Sequence, residues 1–265
     1  MADSRRLRPR VSRRSAGRTH GVRQGTAAGA RQFPWPPVTG WSAAGGLAAY
    51  RDGVTVIVEL AAQFDERTWA AQTPCADWLA ADLAGHLRCV ADDYHEYLDD
   101  APASRLARLL ATGAHPDTLT RKLARQNAAE LAALPDRPAA EHIAAFAQSA
   151  RGYARRLALV WDMPHHRYRD VPVTVGGMAG AACAEWHLHA WDLAKAFGKE
   201  YRPAAPEIVL AGWCAGVTQR CALTPSQIVG DPWATLLLTS GRSPAWPGPA
   251  RGVTGGLRES GGDGI

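Results

Sequence analysis

Glu185 and His189 stand four residues apart in the stretch Ala184-Glu185-Trp186-His187-Leu188-His189-Ala190-Trp191-Asp192-Leu193-Ala194. On an α-helix, residues at that spacing lie one above the other, so a carboxylate and an imidazole would project from one face. That is two ligands of a metal site. His187 falls about 200° round the helix from Glu185 and cannot join it on one ion. A third ligand has to come from another part of the chain. The same spacing also suits an ion-paired couple on a helix face that binds no metal.

His86 is the candidate third ligand. It lies on an apolar stripe with Leu79, Leu83, Leu87, Val90, Tyr94 and Tyr97, in a helix expected from Trp78 to about Leu98 with Asp77 as its N-cap. A lone histidine on such a stripe serves equally well as a hydrogen-bonded core residue. Joined with Glu185 and His189 across two facing helices, it makes a two-histidine, one-carboxylate set with an open position, which is the form of a catalytic zinc site. Asp82 and Asp192 are candidates to orient an imidazole from behind. His95 falls on the opposite side of its helix and is expected to be solvated, as are His142 and His115, while the adjacent His165 and His166 on an irregular connection are not expected to share an ion.

The elements that must position these groups are helical. The chain has 265 residues, 46% hydrophobic, with abundant Ala and few β-branched residues, which favours an all-α fold. A first helix is expected from about Ala43 to Phe64, with Leu47, Tyr50, Val54, Ile57, Leu60 and Phe64 on one side, although Val54-Thr55-Val56-Ile57-Val58 also has the composition of a strand. Further helices are expected at Ser104–Leu110, then to about Leu134, Ala139–Trp161, a central helix entered through Gly176-Gly177-Met178-Ala179-Gly180 and ended at Phe197-Gly198, about Glu207–Cys221, and a short closing helix and turn within 231–246. Asp162 to Pro172 reads as an irregular connection and Val171–Val175 as extended.

The net charge of +5 is unevenly spread. Residues 1–40 hold nine arginines and one aspartate, a balance of +8, which leaves residues 41–265 at −3. The basic arm has no periodic apolar face and no interleaved aromatic platform, so nucleic acid is not an expected partner. No apolar run is long enough to span a bilayer. Cys75, Cys89, Cys183, Cys214 and Cys221 are odd in number and lack a C-x-x-C pair, as expected of reduced thiols in a cytoplasmic protein. The expected division is a disordered Arg-rich arm over 1–42, a helical bundle over 43–200, a small C-terminal region over 201–248 and a flexible tail over 249–265.

Three stretches resemble the mycothiol-dependent maleylpyruvate isomerase family, within the DinB-like metal-binding helical bundles. Thr73-Pro74-Cys75-Ala76-Asp77-Trp78 with Asp82-Leu83 and His86-Leu87 is similar to its opening motif. Glu185-x-x-x-His189-Ala190-Trp191-Asp192-Leu193-Ala194 with Gly198 is similar to its second, and Leu236-Leu237 with Gly241-Arg242-Ser243-Pro244 and Trp246 to its closing motif. The resemblance implies a DinB-like four-helix bundle holding a divalent metal, zinc, on His86, Glu185 and His189, with mycothiol as thiol co-substrate and a small-molecule electrophile as its partner. It implies an isomerase or a thiol S-transferase. Many relatives carry Arg before the Asp-Leu pair where this chain has Ala81, which loosens the analogy to the isomerase itself. The competing reading is a non-catalytic metal-binding or protein-interaction module of the same fold. Arg242 reads either as an anion partner or as half of a structural salt bridge.

Overall fold

The computed structural model describes residues 40–75, 78–99, 116–168, 171–216 and 230–242. The chain divides into units Met1–Pro37 and Val38–Ile265, and every described residue belongs to the second. The expected arm up to residue 39, the Asp77 N-cap, the 104–110 helix, His115, Cys221, Trp246 and the tail lie outside the described residues.

The first helix, α1 (Ala43–Ala61), begins at Ser42, whose hydroxyl accepts a hydrogen bond from the Gly45 N–H. Its β-branched run stays helical because Val54 and Ile57 are buried in the core, where packing overrides local strand preference. Trp41, just before it, donates its indole N–H to the Gly176 carbonyl at 2.8 Å and tilts against the Trp161 ring, so the residues next to the cap are part of the fold. A single turn, α2 (Glu66–Trp69), is capped by Asp65.

Four long helices make the bundle: α1, α3 (Ala80–Asp99), α5 (Ala139–Val160) and α6 (Val175–Ala196). α1 packs on α5 and α6, and α3 packs on α5 and, more lightly, on α6, which closes the square. α4 (Pro116–Ala133) lies on α3. α7 (Pro206–Ala215) and α8 (Pro232–Thr239) follow the bundle, with α7 against α6. Among the described residues the fold is all-α and DinB-like, apart from one antiparallel pair of strands, β1 (Pro164–Tyr168) and β2 (Val171–Thr174). Part of the connection expected to be irregular is therefore a strand pair, with Arg167 opposite Pro172 and Tyr168 opposite Val171. Among the described residues no helix is long and apolar enough to cross a membrane.

α6 is buried at every described position except Glu185. It starts at Val175, earlier than the glycines suggested, because the Thr174 hydroxyl accepts from the Gly177 N–H at 3.1 Å. Those glycines are inside the helix and serve close packing. A Cβ on Gly180 would penetrate the Gly212 backbone of α7, so only glycine permits this crossing. The helix ends where expected, with Gly198 at φ 73°.

Two histidine expectations fail. His142 is buried, its Nδ1 3.5 Å from Arg88 Nη1. His95 is half-buried, with Nε2 2.8 Å from the Ser149 carbonyl and Nδ1 3.2 Å from Arg156 Nη1. Both lie in the broad contact between α3 and α5, which covers faces that periodicity assigns to solvent.

Candidate functional site

α3 and α6 bring His86, Glu185 and His189 to one place. The His86 and His189 rings meet edge to face with centroids 5.1 Å apart, and Glu185 Oε2 lies 3.3 Å from His189 Nε2. His189 Nε2 is buried and has no hydrogen-bond partner. The Glu185 side chain is 34% exposed and that of His189 6% exposed, so the Glu185 side of the site is the more open to solvent.

The other nitrogen of His189 is fully engaged. Nδ1–H donates to Asp192 Oδ2 at 2.9 Å, from three residues along the same helix. In the neutral ring a proton held there leaves the lone pair on Nε2, the tautomer that an outer carboxylate selects in metal-binding histidines. Asp192 is completely buried, and Arg242 clamps it: Nε to Oδ1 is 2.9 Å and Nη2 to Oδ2 is 2.6 Å. Arg242 arrives on the turn after α8, where its own N–H bonds the Leu237 carbonyl and Gly241 takes φ 78°. The Cys75 thiol donates to Asp192 Oδ2 at 3.2 Å, and Arg242 Nη2 lies 3.7 Å from its sulfur.

The charge states follow from these contacts. Burial, with the positive charge of His189 and Arg242, drives the His86 imidazole down to about 3 and keeps it neutral, as a ligand must be. Burial raises Asp192, but Arg242 and His189 more than reverse that and bring it to about 2. Burial likewise raises Glu185, and the neighbouring His189, Arg242 and His86 outweigh it, leaving the carboxyl below its ordinary value. Without an ion, burial opposes a charged His189, yet Asp192, Cys75 and Glu185 hold its second proton well above the usual range.

Cys75, His189 and Asp192 also place ligand atoms within 4.8 Å of one another. The guanidinium of Arg242 already sits against all three, 3.4 Å from His189 Nδ1, so a cation on that side would face a buried positive charge. Among the described residues Arg242 makes no hydrogen bond to His86, Glu185 or Nε2 of His189, its contacts lying on the Nδ1 side of the ring.

The profile described as mycothiol maleylpyruvate isomerase N-terminal domain matches residues 50–194, more than half of the chain. The chain belongs to this family. Comparison with curated proteins gives no match, and comparison with solved structures gives none either. The matched span of this mycothiol maleylpyruvate isomerase domain contains α3 and all but the end of α6, and so contains His86, Glu185 and His189. Arg242 lies beyond it.

Of the remaining expectations, Asp192 contacts His189 as an orienting partner would, whereas Asp82 does not reach an imidazole. Its Oδ2 accepts from the Leu79 N–H at 2.9 Å and finishes the start of α3. Arg242 is half of a buried salt bridge. His187 faces away, with Nε2 on the Ala49 carbonyl and Nδ1 on the Tyr201 hydroxyl. Cys75, Cys89 and Cys183 are reduced thiols. The place of Cys75 beside Asp192 was missed, and its only sequence signal was membership of the 73–78 motif.

Proposed function

We propose that this protein is a metal-dependent enzyme that uses a low-molecular-weight thiol, mycothiol, as nucleophile, in an isomerase or thiol S-transferase reaction. The observation that carries the proposal is the convergence of His189 Nε2, buried and without a hydrogen bond, on the Glu185 carboxylate at 3.3 Å and the His86 ring, while Nδ1 is tied to Asp192. Two imidazoles and a carboxylate brought together from two facing helices are a donor set that suits a divalent ion. Membership of the mycothiol maleylpyruvate isomerase family supports the thiol.

In this reading His86, Glu185 and His189 hold a divalent ion, zinc by the chemistry of two imidazoles and one carboxylate. The ion's contribution is to lower the pKa of a ligated thiol, making a thiolate nucleophile available at neutral pH. Asp192 holds the Nδ1 proton and the ring orientation of His189, and Arg242 compensates the buried carboxylate. Co-substrates approach from the open Glu185 side. In isomerisation the thiolate would add to an activated double bond of a small-molecule electrophile, the new single bond would rotate, and breaking of the C–S bond would re-form the double bond and release the thiolate; in transfer the thiolate would displace a leaving group that departs with the bonding electrons.

Metal analysis of purified protein, with His86→Ala, Glu185→Ala and His189→Ala, tests the site. The expected result is stoichiometric divalent metal that each substitution removes. Protein without metal, or metal content unchanged by all three, overturns it. A thiol-consumption assay with mycothiol, maleylpyruvate and a panel of electrophiles tests the reaction. Bound metal without turnover would favour a non-catalytic metal-binding module.

A further inference from the structure

The two histidines are held in different ways. His189 is oriented by a hydrogen bond to Asp192, but His86 makes no hydrogen bond to any described residue. Its ring lies between two others, Trp78 on one contact at 4.6 Å and 52°, and His189 on the other at 5.1 Å and 84°. The first distance is at the close end of the range for interacting rings. With ring contacts from both Trp78 and His189, rotation of the imidazole about its own bond is restricted.

Trp78 is itself tightly placed. Its carbonyl accepts from the Thr73 N–H at 3.1 Å, the Thr73 hydroxyl at 2.9 Å and the Gln72 amide at 2.9 Å. Its N–H donates to the Cys75 carbonyl at 3.2 Å. Immediately after it, the Leu79 N–H is bonded by Asp82, Gln72 and Leu79 form an isolated bridge, and the Ala80 N–H reaches the Ala71 carbonyl at 2.9 Å. The turn presents Trp78 to His86 and Cys75 to Asp192, so it meets the site at two points.

We propose that Trp78 is the positioning residue of His86, doing by ring contact what Asp192 does for His189 by hydrogen bond. The proposal rests on the reading of His86 as a metal ligand. It assigns residues 72–75 and 78–79 the task of bracing the α3 side of the site, and it accounts for the Gln72, Thr73 and Asp82 contacts, none of which touches His86, Glu185 or His189 directly.

The test uses full-length protein with Co²⁺ as the probe, reading its visible absorption spectrum and its affinity by competition with a chelator. Trp78→Phe keeps a ring and Trp78→Leu keeps apolar volume without one. Trp78→Leu should weaken Co²⁺ binding about tenfold or more and change the visible bands, the size of effect seen when an outer support of a ligand is lost. Trp78→Phe should stay near wild type. Urea midpoints of both metal-free variants separate this from general destabilisation. Trp78→Leu with wild-type spectrum and affinity, or both variants weakened alike, overturns the proposal. If instead His86→Ala leaves Co²⁺ binding and spectrum unchanged, the ligand reading itself has failed, an outcome distinct from the first two.

Discussion

Replacing Asp192 by Asn should cost the metal-free fold about 3–5 kcal/mol, the usual consequence of leaving one member of a buried ion pair without its partner. The side chain has no exposed area, and the Arg242 side chain is only 12% exposed, so water cannot take over. Asn conserves volume, and no cavity contributes. Its amide offers one oxygen where the carboxylate offers two, and both are in use: Oδ1 accepts from Arg242 Nε, while Oδ2 accepts from Arg242 Nη2, His189 Nδ1 and Cys75 Sγ. Either orientation of the amide therefore sets an N–H₂ against a donor. Arg242→Met should cost less, about 1–3 kcal/mol, because Asp192 keeps His189 and Cys75. The double variant removes the stranded guanidinium and should be more stable than Asp192→Asn alone. Urea denaturation of chelator-treated protein measures all four corners of the cycle. In thermal scans the Asp192→Asn loss corresponds to about 6–20 °C for a fold of this size. A loss below about 1 kcal/mol, or a double variant equal to the sum of the singles, would refute the reasoning.

Three further outcomes are expected. Asp192→Asn should also lower metal affinity about 10–100-fold, measured by chelator competition, since His189 loses the acceptor that fixes its tautomer. Metal-free protein should lose stability as pH falls from 6.5 to 5. His86, His142, His165 and His187 all have folded values lowered by burial from 6.5, His86 to about 3, so the unfolded chain binds the extra protons in that window. His189, raised instead, contributes stability that is present below 6.5 and lost only as pH rises through its folded value, so it does not offset the trend there. A urea midpoint that is flat or rises towards pH 5 contradicts this. Gly180→Ala should destabilise despite an intrinsic helix gain of about 1 kcal/mol, because overpacking against the Gly212 backbone costs about 1–3 kcal/mol and no side chain there can move aside. A higher urea midpoint for this variant would show that α6 and α7 separate readily.

The sequence by itself determined the features that depend on neighbours in the chain. Glu185 and His189 share a face, and Asp192 lies within reach of His189, because helical geometry relates residues three and four apart. His86 was legible from an apolar stripe, and α1, α3 and α5 from their periodicity, whereas α6 is buried nearly all round and has no such pattern. The β-branched run at 54–58 was ambiguous locally, and burial of Val54 and Ile57 in the bundle decided it. His95 and His142 were assigned to solvent because periodicity reports one buried face per helix, whereas α3 and α5 cover more of each other than that. Only the tertiary structure decided what surrounds His86, Glu185 and His189. Arg242 comes to Asp192 from 50 residues away and Cys75 from 117, and the Trp78 ring settles on His86 through a turn whose bonds no spacing rule describes. Helix geometry acts over a few residues, but the charge balance of a buried carboxylate and the orientation of an imidazole are set by whatever packing brings against them.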